Sequence, residues 1–315
     1  MKAHLIYSMV AVGMLFASCA NEEPAPNMKA DEGIQPVTRA LSSATFRKSP
    51  IAMVYIEVND TNPLNAGSYK LSNSTSFFDI ACIFAANIRG VNGQPVLYFN
   101  ENVSAIMANP DKYIRPLQDK GIKVTMSILG DHTGLGVANM TNAQADNFAQ
   151  QLADAVAQYG LDGIDFDDEY AEYGTRGYPG VNSTSYSRVI TQLRDLMPAD
   201  KLITVFDWGN TYTLSTEAIA CIDFAWFGVF GDTSFGLPTF SIPLSRWSSQ
   251  AINLRGYNNP QNLLTTSKRS KDDGRGAIEM YDLRSTNTVT ALNAVARGAY
   301  GLGVTYDGQS YSKDW

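Results

Sequence analysis

Leu161-Asp162-Gly163-Ile164-Asp165-Phe166-Asp167-Asp168-Glu169-Tyr170 sets five carboxylates among apolar residues, directly after a helix-like segment that stops at Gly160. The run reads as a buried strand. Charge at the end of a core strand is costly unless it is paired, hydrogen-bonded or used in chemistry. Alternate side chains of a strand share a face, so Asp165, Asp167 and Glu169 project together, with Ile164 and Phe166 pointing the other way. Successive positions on that face lie roughly 6–7 Å apart. Three carboxyl groups so placed do not all ionise near neutral pH; at least one proton stays bound. The pattern points to acid–base chemistry.

Outward from this run, strand-like and helix-like segments alternate, which argues for an α/β domain. Strands are expected at Ala52–Val58, Phe78–Phe84, Lys123–Ile128, Gly163–Asp168, Leu202–Phe206, Phe224–Phe230, Ala251–Leu254 and Ala277–Leu283. Between the third and fourth, Thr141 is a natural N-cap, Phe148, Leu152, Val156 and Tyr159 form one apolar stripe, and Gly160 ends the helix. A second helix is expected near Ser185–Met197, before Pro198. Eight strands in this order predict a single (β/α)8 barrel, with its site at the C-terminal ends of the strands, where the acidic run lies. Weak helical signals between the fifth and sixth strands and after Pro238 predict irregularity in its second half. Residues Gly298–Trp315 read as a C-terminal hairpin turning near Asp307-Gly308. The barrel with this hairpin is expected over residues 51–315.

The amino terminus reads as a targeting segment. Lys2 is followed by an apolar run from Leu5 to Phe16, too short for a comfortable membrane span, that closes on Ala17-Ser18-Cys19. This resembles a lipoprotein cleavage box, and the acidic Asn21-Glu22-Glu23 after it resembles the surface-export signal of Bacteroidetes-type lipoproteins. Residues 1–18 are expected to be a signal peptide, Cys19 the acylated residue, and 19–50 a flexible tether to the outer membrane or cell surface. The membrane partner is then the lipid anchor alone, and a monomer suffices. The remaining Cys82 and Cys221 sit in apolar runs and read as buried thiols. The chain of 315 residues carries 24 basic and 31 acidic side chains, a net charge of −7, with no basic patch, which argues against a nucleic-acid partner. A hydroxyl-rich neutral ligand fits better.

The acidic run matches the Asp-x-x-Asp-x-Asp-x-Glu signature at Asp162, Asp165, Asp167 and Glu169, and so resembles family 18 glycoside hydrolases, the chitinases and endo-β-N-acetylglucosaminidases. The likeness extends to Val54-Tyr55-Ile56-Glu57-Val58-Asn59, Ile83–Ile88, Phe99–Val103, Ile114–Leu117, Ser127–His132, Asp154–Gly160 and Tyr170–Gly174, which are similar to endo-β-N-acetylglucosaminidases of the H and F type. It is dense over residues 52–205, thins afterwards and is hard to place past Trp226. The resemblance implies cleavage of the β-1,4 bond between the two core N-acetylglucosamines of N-linked glycans, with retention, through the substrate's own 2-acetamido group. It implies Glu169 as acid and then base, Asp167 as the group orienting the acetamide, Asp165 sharing a proton with Asp167, and Tyr281 as a hydrogen-bonding tyrosine at the end of the last strand. No cofactor and no metal are implied.

Two stretches depart from the family pattern. Phe227-Gly228-Val229-Phe230 stands where relatives carry an Asn-Pro-Tyr-Tyr stretch, and Phe206-Asp207-Trp208 replaces Tyr-Asn-Ile. These departures leave two alternatives open: a glycan-binding lipoprotein that keeps the barrel without cutting, and a chitinase. Asp162, Tyr170, Trp208, Trp226 and His132 are the further candidate substrate contacts. Trp208 and Trp226 are chosen as sugar-stacking platforms near strand ends, although such aromatics are more often core. His132 is the only histidine once His4 is lost with the signal, so a histidine-centred triad or a multi-histidine zinc site is excluded.

Overall fold

The computed structural model describes residues 42, 44–256, 258–284 and 288–315. The signal peptide, Cys19 and most of the expected tether lie outside them. The strands are β1 (Ile51–Glu57), β2 (Tyr69–Leu71), β3 (Ile80–Val91), β4 (Gln94–Tyr98), β5 (Lys123–Gly130), β6 (Gly163–Phe166), β7 (Leu202–Asp207), β8 (Phe224–Phe227), β9 (Trp247–Ser248), β10 (Ala251–Asn253), β11 (Ala277–Tyr281) and β12 (Val304–Tyr306). The helices are α1 (Glu101–Met107), α2 (Pro110–Tyr113), α3 (Arg115–Asp119), α4 (Asn142–Tyr159), α5 (Ser185–Leu196), α6 (Thr216–Cys221), α7 (Pro260–Asp272) and α8 (Val289–Tyr300).

A parallel sheet runs β10-β11-β1-β3-β5-β6-β7-β8-β9, with β4 returning antiparallel along β3. Its two end strands, β9 and β10, are consecutive in the chain and separated only by Ser249 and Gln250. Together they form one interrupted stave, so the sheet closes as an eight-stave TIM barrel. The break is held by the Glu279 amide, which donates to Ser248 Oγ at 2.9 Å and to Gln250 O at 3.2 Å. The expected seventh strand is thus the second half of a broken one. The second half is irregular as expected: α6 has six residues, and the long β8–β9 connection holds only a 3-10 turn at Leu244–Arg246.

Local chemistry explains the elements around the site. The α4 helix starts at Thr141, whose hydroxyl accepts from Gln144 N while the Gln144 side chain accepts from Thr141 N, and ends at Gly160 in the left-handed conformation. Phe148, Leu152 and Val156 are fully or almost fully buried against the barrel. Cys82 and Cys221 are both buried thiols.

Two expectations are corrected at the ends of the domain. Residues 298–315 do not form a hairpin: Gly298 belongs to α8, and β12 pairs antiparallel with β2, far away in sequence. The apolar positions of Val304 and Tyr306 find their partner at Tyr69–Leu71 rather than beyond Asp307-Gly308. The tether, in turn, ends before residue 50. Phe46 packs edge-on against Phe224 at 5.6 Å, Lys48 pairs with Asp79 at 2.5 Å, and Ser42 N donates to Asp223 Oδ1 at 2.7 Å. These residues close the N-terminal end of the barrel, opposite the acidic run.

Candidate active site

β6 ends at Phe166, so the acidic run leaves the regular strand two residues earlier than its pattern suggests. The departure is guided from β5: Ile128 O accepts from Asp167 N at 3.1 Å, and Gly130 N donates to Glu169 O at 2.9 Å. Tyr170 then takes a positive φ of 57°, uncommon for an aromatic residue, and its carbonyl accepts from His132 N at 2.8 Å. Glu169 is thereby carried to the mouth of the barrel on backbone bonds rather than on a free loop.

Asp165 is completely buried and is gripped by four donors: Tyr55 Oη and Ser127 Oγ at 2.9 Å on one oxygen, and Thr204 Oγ1 at 2.5 Å and the Trp226 indole at 3.0 Å on the other. Burial pushes its pKa up, while these hydrogen bonds pull it back. Asp167 is also buried, but its Oδ1 has no partner among the described residues. Burial, followed by the charges of Glu169, Asp165 and Asp168, drives Asp167 well above the ordinary carboxylate range. Four donors favour the ionised form of Asp165 and nothing favours that of Asp167, so the proton of the pair rests on Asp167. Glu169 is half-buried and is raised by burial and then by Asp168. A carboxylic acid that holds its proton above the ordinary carboxylate range therefore stands at the cavity mouth.

Asp168 faces the other way. It accepts from Tyr173 Oη, from Asn210 N at 3.0 Å and from Asn210 Nδ2 at 2.7 Å, tying the loop after β6 to the loop after β7. Gly209 makes this approach possible: its φ is 63°, and a Cβ there would stand 2.2 Å from Asp168 O.

The cavity above these acids has a volume of about 500 Å³ and is walled by Tyr55, Glu57, Asn59, Asn87 and Asn100 on one side and by Phe206, Trp208, Phe230 and Tyr281 on the other, with Asp167, Glu169 and Tyr170 between them. Phe230 packs against Tyr281 at 5.4 Å and against Phe206 at 5.9 Å. The Tyr281 hydroxyl, half-buried here, is pushed up to about 12, chiefly by burial and then by Glu57. The cavity lining carries three carboxyl groups and no lysine, arginine or histidine.

Of the candidate residues, the cavity brings together Asp167, Glu169, Tyr170, Trp208 and Tyr281, with Asp165 directly beneath. Three candidates lie elsewhere. Trp226 has no solvent exposure; its indole is spent on Asp165 and its ring stacks on Phe224, so it is a support for the acid and not a sugar platform. Asp162 lies at the opposite end of the barrel, where it accepts from Gln118 Nε2 at 2.7 Å and Val124 N at 2.8 Å; its carboxylate closes the start of β6. His132 stands outside the cavity lining with its Nδ1 2.9 Å from Glu172 and its ring 5.4 Å from Tyr170. Sequence reasoning missed Tyr55, Ser127 and Thr204 as partners of Asp165, and Glu57 in the cavity wall. Tyr55 and Glu57 stand at alternate positions of β1 and so share its inward face, which was the available signal.

Comparison with known proteins bears on this geometry. Residues 71–241 match the family model of the endo-β-N-acetylglucosaminidase EndoS TIM-barrel domain. An endo-β-N-acetylglucosaminidase from Flavobacterium sp. (strain SK1022) is 40% identical over 271 residues, 84% of this chain and 85% of its own length. Endo-β-N-acetylglucosaminidase F1 from Elizabethkingia meningoseptica is 32% identical over 327 residues, 98% of this chain and 96% of its own. The crystal structure of Bacteroides thetaiotamicron EndoBT-3987 in complex with Man9GlcNAc2Asn substrate superposes with a TM-score of 0.74 at 26% identity, covering 84% of this chain and 68% of that one. By sequence, barrel and acidic signature, this chain belongs to the endo-β-N-acetylglucosaminidase group of family 18 glycoside hydrolases.

Proposed function

We propose that the chain hydrolyses the β-1,4 bond between the two core N-acetylglucosamines of N-linked glycans, leaving one of them on asparagine. The observation that carries this reading is Glu169, a carboxylic acid with a raised pKa at the mouth of an aromatic-walled cavity, next to the buried Asp165–Asp167 pair. In this mechanism the acetamide carbonyl oxygen of the substrate attacks the anomeric carbon while the bond to the leaving sugar breaks. Glu169 gives its proton to the departing oxygen. Asp167 accepts the acetamide N–H and holds it in line, and the single negative charge of the Asp165–Asp167 pair meets the positive oxazolinium that forms. Glu169, now ionised, takes a proton from the water that opens this intermediate.

In the stretch that stands for the relatives' Asn-Pro-Tyr-Tyr, Val229 and Phe230 take the places of the two tyrosines, so Tyr281 is the tyrosine left to donate to the acetamide oxygen. Gly228 leaves the space that Trp208 fills: a Cβ there would stand 2.9 Å from the indole. The apolar departures thus widen an aromatic wall and leave both acids in place. Cys19 acylation, with residues 1–18 removed and a monomeric catalytic domain held at the outer membrane or cell surface, completes the proposal; it is supported by the apolar run and the Ala17-Ser18-Cys19 box.

The test is mass spectrometry of a high-mannose glycoprotein incubated with the chain from residue 20. A peptide retaining a single N-acetylglucosamine is the expected product. Intact glycan after incubation with high-mannose, hybrid and complex substrates alike would overturn the hydrolase reading. Labelling with a radioactive fatty acid, lost in Cys19→Ser, checks the anchor.

A further inference from the structure

Across the cavity from the acids, β1 ends in a carboxylate that hydrolysis leaves without a task. Glu57 is half-buried in the cavity wall. Its Oε1 is held by Asn59, whose amide nitrogens donate at 2.7 Å (Nδ2) and 3.4 Å (backbone). Asn59 is itself fixed: its Oδ1 accepts from Asn100 Nδ2 at 3.2 Å and Asn102 Nδ2 at 3.0 Å, and its carbonyl accepts from Lys313 Nζ at 3.0 Å. Asn100 Oδ1 caps α1 by accepting from Asn102 N and Val103 N, and Asn102 Oδ1 accepts from the Trp315 indole at 3.2 Å. The wall Glu57–Asn59–Asn100 is therefore locked from behind before any ligand arrives, and no described residue bonds Glu57 Oε2.

Polar groups fixed in advance cost little ordering entropy when a ligand binds. A carboxylate oxygen with no internal donor makes charge-assisted hydrogen bonds to hydroxyl groups. Three strand steps separate β1 from β6, roughly 14 Å around the barrel wall, so Glu57 meets an occupant of the cavity from a different side than Glu169 does. The only charged groups lining the cavity are carboxyls, which favours a neutral, hydroxyl-rich occupant at this wall.

We propose that Glu57 is a sugar-binding residue: its Oε2 accepts hydroxyl hydrogens from a pyranose unit next to the ring being cleaved, with Asn59 and Asn100 holding it in position. This rests on the cavity being the glycan site. The experiment compares Glu57→Ala and Glu57→Gln with the parent protein on a nine-mannose asparagine-linked glycopeptide. In parallel, calorimetric affinity for the same glycopeptide is measured in a Glu169→Gln background that does not cut it. The expected result is a fall in kcat/KM of at least tenfold for Glu57→Ala, carried by KM, with a matching loss of affinity and an unchanged melting temperature. Glu57→Gln, of the same shape but a weaker acceptor, falls between. Unchanged KM and affinity in both variants would overturn the proposal. So would a loss confined to kcat, or a loss in Glu57→Ala that follows its melting temperature while Glu57→Gln behaves as the parent. If the parent protein cleaves nothing, the hydrolase reading fails, and the calorimetric comparison still decides the role of Glu57.

Discussion

The Trp226 indole N–H donates to Asp165 Oδ1 at 3.0 Å inside the barrel, from a side chain with no solvent exposure. With Tyr55, Ser127 and Thr204 it completes a ring of four donors, contributed by β1, β5, β7 and β8. Half the barrel is thus built around one carboxylate. A hydrogen bond to a charged group stabilises by about 1.5–3 kcal/mol. Trp226→Phe should therefore lower unfolding stability by about 2 kcal/mol, read by urea denaturation. Losing a donor also raises the pKa of Asp165, so the acidic limb of kcat/KM should move to higher pH. A variant with lowered stability and an unmoved acidic limb would show that the indole supports the fold alone.

Asp167 carries the cost of the site. Its folded-state pKa is raised, first by burial, above the unfolded value. Its contribution to stability is then fully present below the unfolded value and is lost as pH rises through the folded one. Asp167→Asn, which never ionises, should stabilise the protein near pH 7 by on the order of 1 kcal/mol, since a tenfold change in proton affinity corresponds to about 1.4 kcal/mol. The gain should vanish below about pH 4, the ordinary carboxylate range, and glycan cleavage should be lost at every pH. Thermal melting from acidic to neutral pH checks the sign; equal stability near neutral pH would place the bound proton elsewhere.

Glu169 offers a second pH reading. Because burial and Asp168 raise it, the protonated acid persists above the usual carboxylate range, and activity should decline on the basic side as pH passes its folded value. Glu169→Gln should retain glycan binding and lose about 10²–10⁴ in kcat. Single-turnover cleavage at the parental rate in that variant would remove Glu169 from the mechanism.

The fold was legible because barrel staves and their punctuation are local signals. Thr141, the stripe through Phe148, Leu152 and Val156, and Gly160 specify α4 without reference to any other element. The site was legible as far as strand alternation carries, which placed Asp165, Asp167 and Glu169 on one side. Alternation alone does not say which inward residues meet across a barrel. Trp226 was therefore assigned to the cavity when register puts it beside Phe206 and beneath the acids, and Asp162 was assigned to the wrong end of β6. The broken stave at Ser249-Gln250 and the pairing of β12 with β2 depend on closure of the sheet and on contacts far apart in sequence, for which a linear pattern has no marker.

Gly130 sets how closely the acid loop lies on β5. A Cβ added there would stand 2.3 Å from Glu169 O and 2.4 Å from Ala171 N, both backbone atoms that cannot swing aside. The clash must be relieved by moving the segment that carries Glu169, and a displacement of about 1 Å at a reacting group costs about 10²-fold in rate. Gly130→Ala should thus lower kcat by about that factor, with the barrel still folded and the Asp165 ring intact. Near-ultraviolet circular dichroism like that of the parent, together with a hundredfold loss of turnover, is the expected pair of results. Parental turnover would mean that the loop after β6 positions Glu169 without help from β5.

Lys48 tests where the domain begins. Its ammonium group pairs with Asp79 at 2.5 Å in a largely buried setting, and Asp79 also accepts from Ala52 N at 2.7 Å at the start of β1. Burial lowers the pKa of Lys48 and raises that of Asp79, so each needs the other to remain charged. Removing one partner of such a pair strands the other and costs about 3–5 kcal/mol. Lys48→Met should therefore destabilise the barrel by about 3 kcal/mol in chemical denaturation, and the loss should shrink as pH falls and Asp79 takes up a proton. A chain starting at Ile51 should lose at least as much, because it also gives up the Phe46–Phe224 contact. Parental stability in that shorter chain would return residues 42–50 to the tether.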